Sequence, residues 1–143
     1  MNKYCLSALL LCMIAGCSGQ DRAEEPADFQ TASAQQTEWS VGEQIYQTNC
    51  AACHGTNGEG KGDNFPPLAQ SDYIAGKPQA VIQAMVKGIN GKITVNGKTY
   101  DNFMPASVLN DEDTAQVTNY IINRLNNGNS NISAAEVAAE RSK

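Results

Sequence analysis

Cys50-Ala51-Ala52-Cys53-His54 is the stretch whose reading decides the rest of the chain. On a helix, Cys50 and Cys53 stand three residues apart and share a face. His54 follows the second thiol directly and is the single histidine among 143 residues. Three familiar uses of such a thiol pair fit its surroundings poorly. A zinc knuckle needs a second ligand pair, and apart from Cys5, Cys12 and Cys17 near the N-terminus the chain has no other cysteine or histidine. A thioredoxin-like site sits on a strand–turn–helix inside a βαβ pattern, whereas this pair falls late in a predicted helix with no strand before it. A disulfide between positions i and i+3 closes a tiny loop and contributes little stability.

What C-x-x-C-H does fit is c-type haem attachment. Two thiols on one face reach the two vinyl groups of a porphyrin and form thioethers. The adjacent imidazole is then held under the iron as its proximal ligand. The expectation is one covalent haem c on Cys50, Cys53 and His54. Downstream of the N-terminal leader, two methionines remain as candidates for the opposite iron face. Met85 lies mid-helix among Ile82, Val86 and Ile89, the usual setting of a gap-filling core methionine. Met104 lies in Asn102-Phe103-Met104-Pro105, where Pro105 keeps the segment from becoming helical. Met104 is the better candidate; the alternatives are Met85, or neither, with water or an open position on the iron.

Outward from the motif the pattern is mainly helical. Ser40 and Glu43 form a capping-box signature, and Val41, Ile45 and Tyr46 recur at helical spacing, which predicts a helix over 41–54. Gly55, Gly58, Gly60 and Gly62, then Pro66-Pro67, predict a loop over 55–70. Pro78 opens a second helix to Lys87, ended by Gly88 and Gly91. Ile93 to Tyr100, with Asn96-Gly97 at the centre, predicts a small hairpin with a primed turn. Asn110 caps a helix over 111–126, stopped by Asn127-Gly128. Ser133 with Glu136 caps a short last helix over 134–142. The expected fold class is all-α: three to five helices around one haem, with a hairpin-like loop before Met104.

The N-terminus reads as an export signal. Lys3 precedes a mostly apolar run over 4–15, too short for a span, which takes roughly 20 apolar residues. The run ends in Ile14-Ala15-Gly16-Cys17, which resembles a bacterial lipobox and predicts a signal peptide over 1–16 and lipidation of Cys17. Ordinary signal-peptidase cleavage near Ala15 or Gly19 is the alternative. Residues 18–38 contain no Val, Ile, Leu or Met, so 17–38 reads as an anchor and flexible acidic tether. The domain then spans 39–127, followed by a tail over 128–143. The chain is 41% apolar, enough for a modest core, and its 15 acids against 10 bases disfavour nucleic-acid binding. The predicted location is periplasmic and membrane-anchored; Ser18 beside the lipidated cysteine favours the outer membrane.

With these residues placed, residues 39–127 resemble the class I monohaem cytochromes c. Gly42 and Tyr46 resemble the glycine and aromatic of that family's N-terminal helix, with Tyr120 and Ile121 as their partners on the last helix. Pro66-x-Leu68 resembles the family's P-x-L, which implies that the Pro66 carbonyl accepts the proximal imidazole N–H and that Leu68 packs near the haem. Met104-Pro105 resembles its axial-methionine loop. Gly91-Lys92-Ile93, Val95 to Lys98, Tyr100 and the tail Val137 to Arg141 are similar to cytochrome c modules that serve terminal oxidases or are fused to copper nitrite reductases. The resemblance implies a one-electron carrier, not an enzyme, with a terminal oxidase, a nitrite reductase or another respiratory complex as partner. A haem peroxidase or gas sensor, using Tyr100 or Asn102 beside a displaceable ligand, is the second reading, and thiol–disulfide exchange the third.

Overall fold

The protein is described here by a computed structural model covering residues 39–143, so the predicted leader over 1–16, Cys17 and the tether over 17–38 lie outside it. The first helix, α1, covers residues 39–49. It already includes Trp39 and Ser40, ahead of the predicted start at Val41. A turn at Cys50 separates it from α2, Ala51–His54. The predicted single helix over 41–54 is therefore two, although Cys50 N–H still reaches the Tyr46 carbonyl at 2.8 Å. Pro78–Lys87 forms α3, with proline in its first turn and Val81, Ile82 and Met85 buried.

Lys92–Val95 and Lys98–Asp101 are strands β1 and β2, paired antiparallel with Ile93 opposite Tyr100. Asn96 and Gly97 both take positive φ, 50° and 76°, as a primed two-residue turn requires. The all-α expectation is thus corrected: a hydrogen-bonded two-stranded sheet stands among the helices. Two isolated strands are marginal in water, and this pair is anchored at its tip. Asn96 Oδ1 accepts from the Asp72 N–H at 3.0 Å, and Asp72 Oδ1 accepts from the Asn96 N–H at 2.7 Å.

Asp111–Tyr120 is α4, capped by Asn110, whose Oδ1 accepts from the Asp113 N–H at 2.8 Å. Three acids in its first turn complement the helix dipole. The predicted helix over 111–126 changes character at its end: Ile121–Leu125 is a π-helical turn. Groups there face outward to the 68–71 loop. Leu125 C=O accepts from Gln70 N–H at 3.0 Å, Asn126 Oδ1 from Ser71 N–H at 2.8 Å, and Asn126 Nδ2 donates to Leu68 C=O at 2.8 Å. The last helix, α5, is Ala134–Arg141, with the Ser133–Glu136 capping box complete.

Two apolar clusters hold these elements. The larger joins Tyr46 of α1, Val81 and Met85 of α3, Val117 and Tyr120 of α4, and Ile121 of the π-helical turn. At its centre α1 crosses α4: a Cβ on Gly42 would stand 2.5 Å from the Gln116 carbonyl oxygen and 2.9 Å from Tyr120 Cβ. No larger residue permits that approach without moving backbone. Tyr46 and Tyr120 pack beside it, ring centroids 5.5 Å apart and tilted by 44°. The smaller cluster, Ile82, Ala115, Ile132 and Val137, fixes the tail over 128–143 onto α3 and α4.

Candidate functional site

A cavity of about 340 Å³ opens between α2, α3, the hairpin and the segment before α4. Cys50, Cys53 and His54 line it, as do Pro66, Leu68, Met85, Tyr100, Asn102 and Met104. None of its lining residues is Asp, Glu, Lys or Arg. Its size suits a small-molecule site, and its uncharged apolar wall suits a large flat hydrophobic group.

His54 is 8% exposed, and its Nδ1 lies 2.9 Å from the Pro66 carbonyl oxygen. A carbonyl only accepts, so Nδ1 carries the proton and Nε2 keeps its lone pair for a metal. Burial lowers the imidazole pKa, against a smaller opposing effect of the Pro66 bond, which favours the neutral ring that ligation needs. The loop is shaped to bring Pro66 there. Leu68 and Ala69 N–H both donate to Gly58 C=O, at 2.8 and 2.9 Å, and Gly60 N–H donates to His54 C=O at 2.7 Å. A Cβ on Gly60, at φ +78°, would stand 2.7 Å from the Phe65 carbonyl oxygen and 3.0 Å from the Pro66 carbonyl carbon. In the sequence Gly60 is one loop glycine among several, because its need arises from contacts across the loop. Leu68, half-buried, packs against the larger core cluster.

Cys50 is half-buried and Cys53 exposed, and neither is in a disulfide. Burial, reinforced by Cys53, pushes the Cys50 thiol up to about 11. A reactive exchange cysteine needs the opposite shift, so this environment disfavours thiol–disulfide chemistry.

Met104 is half-buried in a segment without regular structure. Its N–H donates to Ile89 C=O and its C=O accepts from Ile89 N–H, both at 2.9 Å. Ser107 N–H donates to Met85 C=O at 2.7 Å. Gly88 allows this approach: a Cβ there would lie 2.6 Å from the Met104 carbonyl oxygen. In the sequence Gly88 reads only as the stop of α3. Met85 also lines the cavity, but it is 5% exposed within the core, its sulfur 3.7 Å from Thr118 Oγ1. Asn102 Nδ2 donates to Asn64 C=O at 3.3 Å. Among the described residues no three His, Cys, Asp or Glu side chains converge as a metal site. The donors that meet on the cavity are one imidazole, two thiols and thioethers, a set that fits a covalently held haem iron.

Comparison with known proteins agrees with this donor set. The cytochrome c family model matches residues 40–124. The chain is 33% identical over 91 residues to a cbb3-type cytochrome c oxidase subunit FixP of Sinorhizobium medicae (strain WSM419), covering 62% of this chain and 30% of that one. It is 38% identical over 85 residues to cytochrome c-552 of Thermus thermophilus, covering 56% and 64%. It is 29% identical over 122 residues to cytochrome c-551 of Bacillus subtilis (strain 168), covering 85% and 89%. The chain spans less than two thirds of the length of the first two. The match over most of the helical region, on a cavity with this donor set, places the chain in the cytochrome c family, among the class I monohaem proteins that carry covalently attached haem c.

Proposed function

We propose that this protein carries single electrons between respiratory proteins outside the cytoplasm. Cys50 and Cys53 would hold the haem through thioethers, and His54 Nε2 and Met104 Sδ would ligate its iron. Bound there, haem c supplies an iron that alternates between ferrous and ferric states, at a potential raised by methionine ligation. The chain's own work is to keep both ligands in place. The Pro66 carbonyl orients the imidazole, and the paired hydrogen bonds between Met104 and Ile89 hold the thioether segment. The pinning of Met104 on the cavity that His54 also lines carries this reading, because a ligand set that stays put lowers the reorganisation accompanying electron transfer.

The partner class rests on relatives: the FixP similarity is to an oxidase subunit, and an oxidase or comparable respiratory complex is proposed here. Attachment to the membrane through Cys17, preferentially at the outer membrane given Ser18, rests on the sequence pattern alone. The competing reading, a peroxidase or gas sensor, draws on Tyr100 and Asn102, which line the same cavity. It requires a ligand that leaves readily. The deciding experiment has two parts. Acid–acetone extraction should leave the haem on the polypeptide, and the ferric protein should show the methionine–iron charge-transfer band. Rapid carbon monoxide binding by the ferrous wild type would instead support the competing reading.

A further inference from the structure

We propose that α5 clamps the Met104 segment, with Glu140 and Arg141 as the positioning residues. This rests on the reading of Met104 as sixth ligand. The segment over 102–110 has no regular structure, and its backbone is tied to the end of α3 and to Ile89 by the Ser107–Met85 and Met104–Ile89 hydrogen bonds. Its Phe103 and Val108 are 66% and 99% exposed, so side-chain burial holds it weakly. A stretch of this kind opens with a free energy set largely by how its borders are held.

Two links from α5 bear on it, one at its C-terminal border and one on the end of α3 that leads to its pairing partner Ile89. On one side lies Lys87, the last residue of α3, two residues before the Ile89 that pairs with Met104. Glu140 is 2% exposed; its Oε1 faces Lys87 Nζ at 3.1 Å as an ion pair, without hydrogen-bond geometry. Its Oε2 accepts from Lys143 Nζ at 2.7 Å. On the other side lie Leu109 and Asp111. Arg141 Nε donates to Asp111 Oδ1 at 2.8 Å, and Nη2 donates to Leu109 C=O at 3.2 Å. Two consecutive residues thus act on one irregular segment: Arg141 at its C-terminal end, and Glu140 through the end of α3, beside the Ile89 that pairs with Met104. Val137, fully buried against Ile82 and Ala115, sets the helix that presents them. The Glu140 carboxylate is buried while the Lys87 side chain is about half exposed, so removing Lys87 leaves that carboxylate with Lys143 as its one cation among the described residues.

The test is the rate at which cyanide binds the ferric holoprotein, since cyanide must displace the sixth ligand. Glu140→Gln and Arg141→Gln should retain the methionine–iron band at rest and bind cyanide at least about tenfold faster than wild type. Where Glu140→Gln does not fold, Lys87→Met tests the same link from the α3 side. Lys143→Ala should stay within about twofold of wild type, because Lys143 touches neither border. Asn123→Ala loosens the turn before α5 through its two bonds to Ser130. It should lower the thermal midpoint without speeding cyanide; an equal acceleration would reduce α5 to plain packing and overturn the clamp. In Met104→Ala, binding should already be fast and gain nothing from Glu140→Gln. If the band is present in wild type and lost in Met104→Ala, yet Glu140→Gln and Arg141→Gln bind cyanide at the wild-type rate, the clamp is wrong and the ligand assignment stands. A wild type without the band overturns both.

Discussion

At the scale of single residues, the site turns on atoms that leave few alternatives. The two methionines give the sharpest contrast. Met104→Ala should abolish the methionine–iron band, lower the reduction potential and admit exogenous ligands. Met85→Leu should keep the band and cost less than about 1.5 kcal/mol, as volume-conserving core swaps do. Absorption spectra and urea unfolding of the two variants check both statements. Gly60 is the second such residue. Gly60→Ala forces a side chain into positive φ and against the Phe65–Pro66 backbone, costing about 1–3 kcal/mol. It should also shift the His54 Nδ1 proton resonance in NMR spectra, because the Pro66 carbonyl moves with that backbone. The thiol pair and the imidazole were legible because C-x-x-C-H is local and chemically narrow. Gly60 and Gly88 were not, since what forbids a side chain at either is backbone brought near by the fold.

At the scale of elements, helix existence was legible from periodicity and caps, and the departures come where tertiary partners intrude. Residues 121–125 follow a helical pattern, yet the chain there takes a π turn and its groups bond the 68–71 loop. No periodicity encodes that bond. Asn126 joins the two. Asn126→Ala would leave the Ser71 N–H and the Leu68 and Ile121 carbonyls without that partner. The expected loss is about 2–3 kcal/mol, seen as a lower urea midpoint at unchanged slope. The hairpin was legible from Asn96-Gly97, but its anchoring on Asp72 was not. For α5 the consequence is a pH dependence. The hydrogen bond from Lys143, and then the paired Lys87 ammonium, hold the Glu140 carboxyl below the ordinary glutamate range. A carboxyl with a depressed folded-state pKa contributes stability that is complete above about pH 4.3 and is lost as pH falls through the folded value. Thermal melts of wild type and Glu140→Gln should therefore converge as pH falls below about 4.3.

For the whole molecule, the division between an anchor, a tether and a folded unit was read from composition, and one substitution tests it. Cys17→Ser should move the protein from the membrane to the soluble periplasmic fraction, with its haem spectrum unchanged; an unmodified mature N-terminus at another residue would count against the anchor. The folded unit was legible as a haem protein from one motif, whereas the docking of its tail was not: Val137 and Glu140 reveal their burial only against α3 and α4. The crossing at Gly42 has a kinetic corollary. The contact between Gly42 and Gln116 joins points about 75 residues apart, and every candidate ligand lies inside that interval. Bringing the ends of so long a loop together costs about 4 kcal/mol of chain entropy before any contact repays it. Closure of the two helices is therefore the slow, nonlocal event of folding, and refolding rates should respond far more to bulk at position 42 than to changes in α5.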